Sequence, residues 1–96
     1  MDLTALIESL KEDEPPAGLT PALQALWYEA KGDWEGAHRT AQSHDDPDSA
    51  WVHAYLHRVD GDDSNAAYWY RRVEKPVCSA PLKEEWRQIA SALLGG

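Results

Sequence analysis

Between Ser49 and Asp60 the chain carries a run, Ser-Ala-Trp-Val-His-Ala-Tyr-Leu-His-Arg-Val-Asp, that has almost no solvent face when wound as a helix. Trp51, Tyr55 and Arg58 form one stripe, and Val52, Leu56 and Val59 a second. Ala50 and Ala54 make a narrow third stripe where another helix can approach closely. What remains is His53, His57 and Asp60, spaced i, i+4, i+7 and therefore on one side. A helix that is apolar nearly all round belongs at the centre of a domain, with others packed about it. Turn signals bracket the run: Asp45-Asp46-Pro47-Asp48 before it and Gly61-Asp62-Asp63 after it.

The flanking segments supply the helices that such a centre requires. Leu3, Leu6, Ile7 and Leu10 fall at amphipathic spacing and predict a first helix from Asp2 to about Lys11, with Asp2 as its cap. The acidic, proline-containing segment Glu12 to Gly18 stops it. Thr20 caps and Pro21 opens a second helix, with Leu23, Leu26, Trp27 and Ala30 inward and Gly32 at its end. Asp33 caps a third, about Trp34 to Ser43, with Trp34, Ala37, His38 and Ala41 on one side. The join between them is short enough to force an antiparallel hairpin. After the central helix, which Asp48 or Ser49 is expected to cap, a fifth runs from about Ser64 to Val73 and turns Ala66, Trp69, Tyr70 and Val73 one way. A proline-bounded loop, Glu74 to Pro81, leads to a last helix from Leu82 to about Leu94 with Trp86, Ile89, Ala90 and Leu93 inward. No stretch alternates as a strand does. The expectation is an all-α domain over residues 1–96, a compact bundle of about six helices.

Composition matters at two points. Leu, Ile and Val are scarce and Phe is absent, while the net charge is −8, a combination that can mark disorder. Five Trp, four Tyr and many Ala argue for a folded aromatic-and-alanine core instead. The same negative charge argues against a nucleic-acid partner and favours a basic one. The single cysteine, Cys78, cannot form an internal disulfide, and no apolar run approaches the ~20 residues of a membrane span, so a cytoplasmic protein without membrane attachment is expected.

The chain also echoes itself. Ala30-Lys31-Gly32-Asp33 with Ala37 matches Val59-Asp60-Gly61-Asp62 with Ala66. These residues, with Tyr28, Trp34-Glu35-Gly36 and His57, resemble tetratricopeptide hairpins, and Ala66-Ala67-Tyr68-Trp69-Tyr70-Arg71-Arg72 is similar to the second helix of Sel-one-like repeats. The likeness covers about residues 20–76, but the copies stand about 29 residues apart against a usual period of ~34. Pro21 and Ala50 occupy places where that family often has Trp, and His57 one where it often has Tyr. The resemblance implies two antiparallel hairpins with flanking N- and C-terminal helices, and a role as a binding or adaptor module for a peptide or protein.

Three groups of residues are candidates for chemistry. The resemblance places Trp51, Tyr55 and Arg58 on an inner groove with Leu26 and Glu29 beside them. Trp, Tyr and Arg are the residue types enriched at binding hot spots, and Arg can grip a carboxylate with two prongs. The alternative is that the first or last helix folds into this groove and fills it. His53 and His57, one helical turn apart, can hold a single metal ion, with Asp60 as a third ligand and His38 or His44 reaching in from a neighbouring helix. In the hairpin register implied by the resemblance, they instead face their partner helix as packed, hydrogen-bonded histidines. Arg71 and Arg72, with Arg58, either form an anion site or lie over the aromatic surface and pair with acids. No nucleophile, glycine-rich phosphate loop or catalytic residue is recognisable, so a binding module is expected ahead of an enzyme and no resident cofactor is expected. The alternative is a metal- or small-molecule-binding protein, or an enzyme, that uses His53 and His57. An aromatic surface of this kind also allows a homo-oligomer.

Overall fold

The computed structural model describes residues 1–95. Its elements are α1 (Leu3–Glu8), continued by a single 3-10 turn (Ser9–Lys11), α2 (Pro21–Ala30), α3 (Trp34–Gln42), α4 (Pro47–Val59), α5 (Asp63–Arg72) and α6 (Leu82–Leu93). No strand occurs among the described residues, so the all-α expectation holds.

Local chemistry explains the helix ends. Asp2, Thr20, Asp33, Asp46 and Asp62 each accept a hydrogen bond from a backbone N–H in the first turn that follows, which satisfies a donor the helix itself leaves free. α4 begins two residues earlier than the sequence suggests. Pro47 is its first residue and Asp46 its cap, with Ser49 N–H and Oγ both donating to the Asp46 carboxylate. A proline ring already holds the helical φ and lacks only an N–H that would be free anyway, so the Asp-Pro pair starts the helix rather than ending a turn.

The turns between α2 and α3 and between α4 and α5 have the same construction. Gly32 and Gly61 take φ of 87° and 78°. Their N–H groups return to the carbonyls of Glu29 and Arg58, and the next residues, Asp33 and Asp62, donate to Tyr28 and His57. Each Asp then caps the following helix, so one residue closes one helix and opens the next. Two packed hairpins result, α2 with α3 and α4 with α5, and α3 packs against α4 to join them.

α4 is the centre: Val52, His53, Ala54, Tyr55 and Leu56 are all buried. One core gathers Leu6, Leu23, Leu26, Trp27, Val52, Tyr55, Leu56, Trp86 and Ile89 from α1, α2, α4 and α6. A smaller cluster, Ala54, Ala66 and Tyr70, lies between α4 and α5, with Trp51, Trp69 and Cys78 against it. The alanines at 54 and 66 lack bulk, which lets these two helices approach and leaves room for the aromatic rings beside them. Ala30, expected inward, is exposed, and Ala22 and Ala25 take the buried places on α2.

Candidate functional site

The last helix decides what becomes of the expected groove. α6 lies across α2 and α4, and the Trp86 indole N–H donates to the Leu26 carbonyl at 2.9 Å. Leu26 is fully buried beneath it. The Arg58 guanidinium donates to Glu85 Oε1 at 2.7 Å and to the Ala80 carbonyl, while Glu85 Oε2 accepts the Tyr70 hydroxyl. Burial works against the Arg58 charge, but the Glu85 bond outweighs it and holds the guanidinium above its ordinary pKa. Trp51 carries the Lys75 ammonium 4.1 Å over its ring. Of the five expected groove residues, Leu26, Arg58 and Trp51 are thus met by α6 and the loop before it, while Tyr55 and Glu29 pair with each other. Glu85 of the chain's own C-terminal helix supplies the carboxylate that Arg58 would otherwise grip on a partner, so at Arg58 the face is occupied from within.

The filling is incomplete. Between α1 and α6 a cleft of about 470 Å³ remains, walled by Ile7, Leu10, Leu82 and Trp86, with Lys83 and Arg87 along one side and Tyr55, Ala30 and Glu29 also lining it. Its lining is mostly apolar. Tyr55 donates its hydroxyl to Glu29 Oε1 at 3.0 Å. Burial raises the Glu29 pKa, and the Tyr55 bond only partly offsets this. Burial and the neighbouring Glu29 charge push the Tyr55 hydroxyl up as well. Among the described residues the ion pairs are Lys11 with Glu8 and Arg58 with Glu85, so no cation neutralises Glu29. A half-buried carboxylate with one neutral donor has acceptor capacity to spare.

The histidines form a second constellation. His38 of α3 meets His53 of α4 with Nε2 atoms 3.1 Å apart, and His53 Nε2 is also 3.1 Å from His57 Nε2. One nitrogen from each of the three lies within 4.8 Å of the others. Trp34 stacks on His38 at 4.8 Å between centroids, and Trp69 stacks on His53 at 4.0 Å. His53 thus faces its hairpin partner through Trp69 and the preceding hairpin through His38. Burial, then the neighbouring His38 and His57, lower the His53 pKa to about 4. Burial lowers that of His57 too, against the pull of Asp62 and Asp60. Asp60 is not the third member. It is the exposed C-cap of α4 and lies outside the set of ligand atoms that converge. His44 is exposed and bonds the Thr40 carbonyl. Of the two histidines expected to reach in, His38 is the one that does.

The arginines separate. Arg58 is spent on Glu85, and Arg72 lies over Trp69, 4.9 Å from its centroid, so no joint anion site forms with Arg71. What sequence reasoning missed is Glu85, one of two acids in the first turn of α6, and the apolar cleft wall that Ile7 and Leu82 share with Trp86. The signal available was Glu85 lying next to the inward-facing Trp86, which puts a carboxylate at the edge of a buried face. Comparison with family models, with curated proteins and with solved structures returned no match to this chain.

Proposed function

We propose that the chain is a small binding module whose seat is the cleft between α1 and α6, and that its ligand is a basic peptide ending in an apolar residue. The observation that supports this most is Glu29, a carboxylate in a mostly apolar cleft with Tyr55 as its one donor and no ion-pair partner among the described residues. Partial burial disfavours the Glu29 charge, and a ligand ammonium or guanidinium would offset that cost. A cleft of about 470 Å³ is within the size range of small-ligand pockets and has room for a large apolar side chain with its terminal carboxylate. Lys83 and Arg87 line the same cleft and would take a terminal carboxylate, the task first assigned to Arg58. A net charge of −8 favours a basic body on the peptide. The reading keeps the adaptor role implied by the likeness to tetratricopeptide hairpins and moves the seat from the covered groove to the cleft. A cytoplasmic setting suits a chain with one unpaired thiol, Cys78.

The test is a titration of the ¹⁵N-labelled protein with the peptide Lys-Arg-Lys-Leu, its C-terminal amide, and Glu-Asp-Glu-Leu. The free-acid basic peptide is expected to move the Trp86 indole and the Ile7 and Leu82 signals. The amide should bind several-fold more weakly, and Glu29→Gln should weaken the basic peptide about tenfold. Equal response to the acidic peptide, or shifts mapping away from the cleft, would refute the proposal.

A further inference from the structure

We propose that His38, His53 and His57 form a binding site for one divalent transition-metal ion of the zinc, copper and nickel class, held through their three Nε2 atoms. The site is independent of the cleft between α1 and α6.

The first argument is the arithmetic of protons and lone pairs. His53 Nε2 takes part in both 3.1 Å contacts, with His38 Nε2 and with His57 Nε2. A ring nitrogen has either one hydrogen or one lone pair. If His53 Nε2 carries the hydrogen, it can donate along only one contact. If it carries the lone pair, two donors must share it. Neither tautomer gives two good bonds, so three nitrogens converge on a place that fewer protons can serve. A metal ion resolves this by accepting one lone pair from each ring.

The second argument is distance. Metal–imidazole bonds of about 2.0–2.1 Å at tetrahedral angles separate the ligand nitrogens by roughly 3.3 Å. Two of the separations here are 3.1 Å, and the three atoms lie within 4.8 Å of one another. Adjustment of a few tenths of an ångström in two contacts, with a larger swing in the third, closes the set. His53 and His57 stand one turn apart on a single rigid helix, and His38 comes from the helix packed against it, so the swing falls to side chains alone.

The surroundings suit such an ion. Imidazole nitrogen is the ligand type zinc, copper and nickel share, and calcium or magnesium would need oxygens that are absent from this set. The indoles of Trp34 and Trp69 wall two of the rings and hold their planes. The low His53 pKa keeps that ring neutral, the form that ligates. Asp60 and Asp62 lie near enough to His57 to pull on its titration and would offset part of the ion's charge, while Arg72 opposes it from the side of His53. His53 also borders a cavity of about 140 Å³ that it shares with Asp45, Arg72 and His44, the last lying outside the three-histidine set. One feature weakens the site. His57 Nδ1 is buried with no partner, and a ring bound through Nε2 must carry its hydrogen there. Affinity in the micromolar range, rather than that of a closed structural site, follows.

The experiment uses untagged protein, dialysed against a chelator and then titrated calorimetrically with zinc, nickel and copper salts in turn. One ion per chain is expected, with His38→Gln and His57→Gln each weakening binding at least about tenfold. His44→Gln, on the exposed histidine, should leave it unchanged. Because His53 is buried, His53→Gln can unfold the chain, so the wild-type protein supplies a separate reading. Its imidazole ¹⁵N spectrum should show the Nε2 signals of His38, His53 and His57 moving together on zinc addition while those of His44 stay. No binding below millimolar concentration, or binding that survives His38→Gln and His57→Gln, overturns the site. So does a zinc-induced spectrum in which His44 moves with the others.

Discussion

Arg58 and Glu85 meet at 2.7 Å across the interface between α4 and α6, with side chains only 17% and 3% exposed. Tyr70 of α5 donates to the other Glu85 oxygen, so three helices are tied at one carboxylate. The pair holds the C-terminal helix on the central one. Removing one partner strands the other charge in a place with little water. Arg58→Ala and Glu85→Ala should each cost about 3 kcal/mol. Replacing both by apolar residues of similar volume should cost less than either alone. Urea denaturation of the two single variants and the Arg58→Met, Glu85→Leu double variant measures this. A loss below about 0.5 kcal/mol in both single variants would show that α6 is held by its apolar face alone.

Glu29 makes the opposite prediction. Its folded-state pKa lies above the ordinary 4.5 because burial disfavours the charge. A raised acid pKa contributes stability below the unfolded value and loses it as pH rises through the folded value. At neutral pH the ionised Glu29 is therefore a burden. Glu29→Gln keeps an acceptor for Tyr55 and should stabilise the free protein by up to about 1 kcal/mol after solvent screening, with the gain vanishing near pH 3. Thermal melts of wild type and variant at the two pH values check it. A destabilised variant at neutral pH would mean that the charge is compensated within the fold.

Two positions share one backbone geometry and carry different residues. Gly61 has φ of 78° and Glu74 has φ of 56°, each just past a helix end, with the next N–H returning to the carbonyl of His57 or Tyr70. Nothing lies within 4 Å of a Cβ built at Gly61, so the main cost of Gly61→Val is backbone strain, about 1–2 kcal/mol. Glu74→Gly removes the same kind of strain and should stabilise by about 0.5–1 kcal/mol. Chemical denaturation of both variants should shift the midpoint in opposite directions, and shifts of the same sign would contradict the account.

His53 gives a pH dependence. In chelator-treated protein its pKa falls from the usual 6.5 to about 4. A depressed pKa supplies stability that is whole above the unfolded value and is lost as pH falls to the folded one. Between pH 6.5 and about 4 the wild-type chain should lose on the order of 2 kcal/mol through this group. The imidazole ¹⁵N shifts of His53 in the wild-type protein, followed over that range beside its urea-denaturation stability, isolate it from the carboxylates. Shifts that titrate at the usual 6.5 would show that water reaches the ring freely.

Much of this architecture is written locally. Asp33 and Asp62 can cap, Gly32 and Gly61 can take positive φ, and Leu3, Leu6 and Leu10 share a stripe, whatever the rest of the chain does. Such interactions span three to six residues, and their physics is complete within a window that short, so helix number, type and approximate ends were legible. Even there Asp46-Pro47 was read as turn, because the pair suits a turn and a helix start equally and only packing of Ser49 and the residues after it decides. The centrality of α4 was legible too, since its apolar residues surround it. Which helix would cover the Trp51–Tyr55–Arg58 stripe was not. Local pattern says that a face is apolar, but the choice between α1, α6 and a partner depends on Glu85 finding Arg58 and Trp86 finding Leu26, contacts between residues far apart along the chain. The histidines divide in the same way. His53 and His57 share a side by helix periodicity alone. That His38 joins them was decided by how α3 lies against α4, since a short turn sets the direction of a returning helix but not its rotation about its own axis.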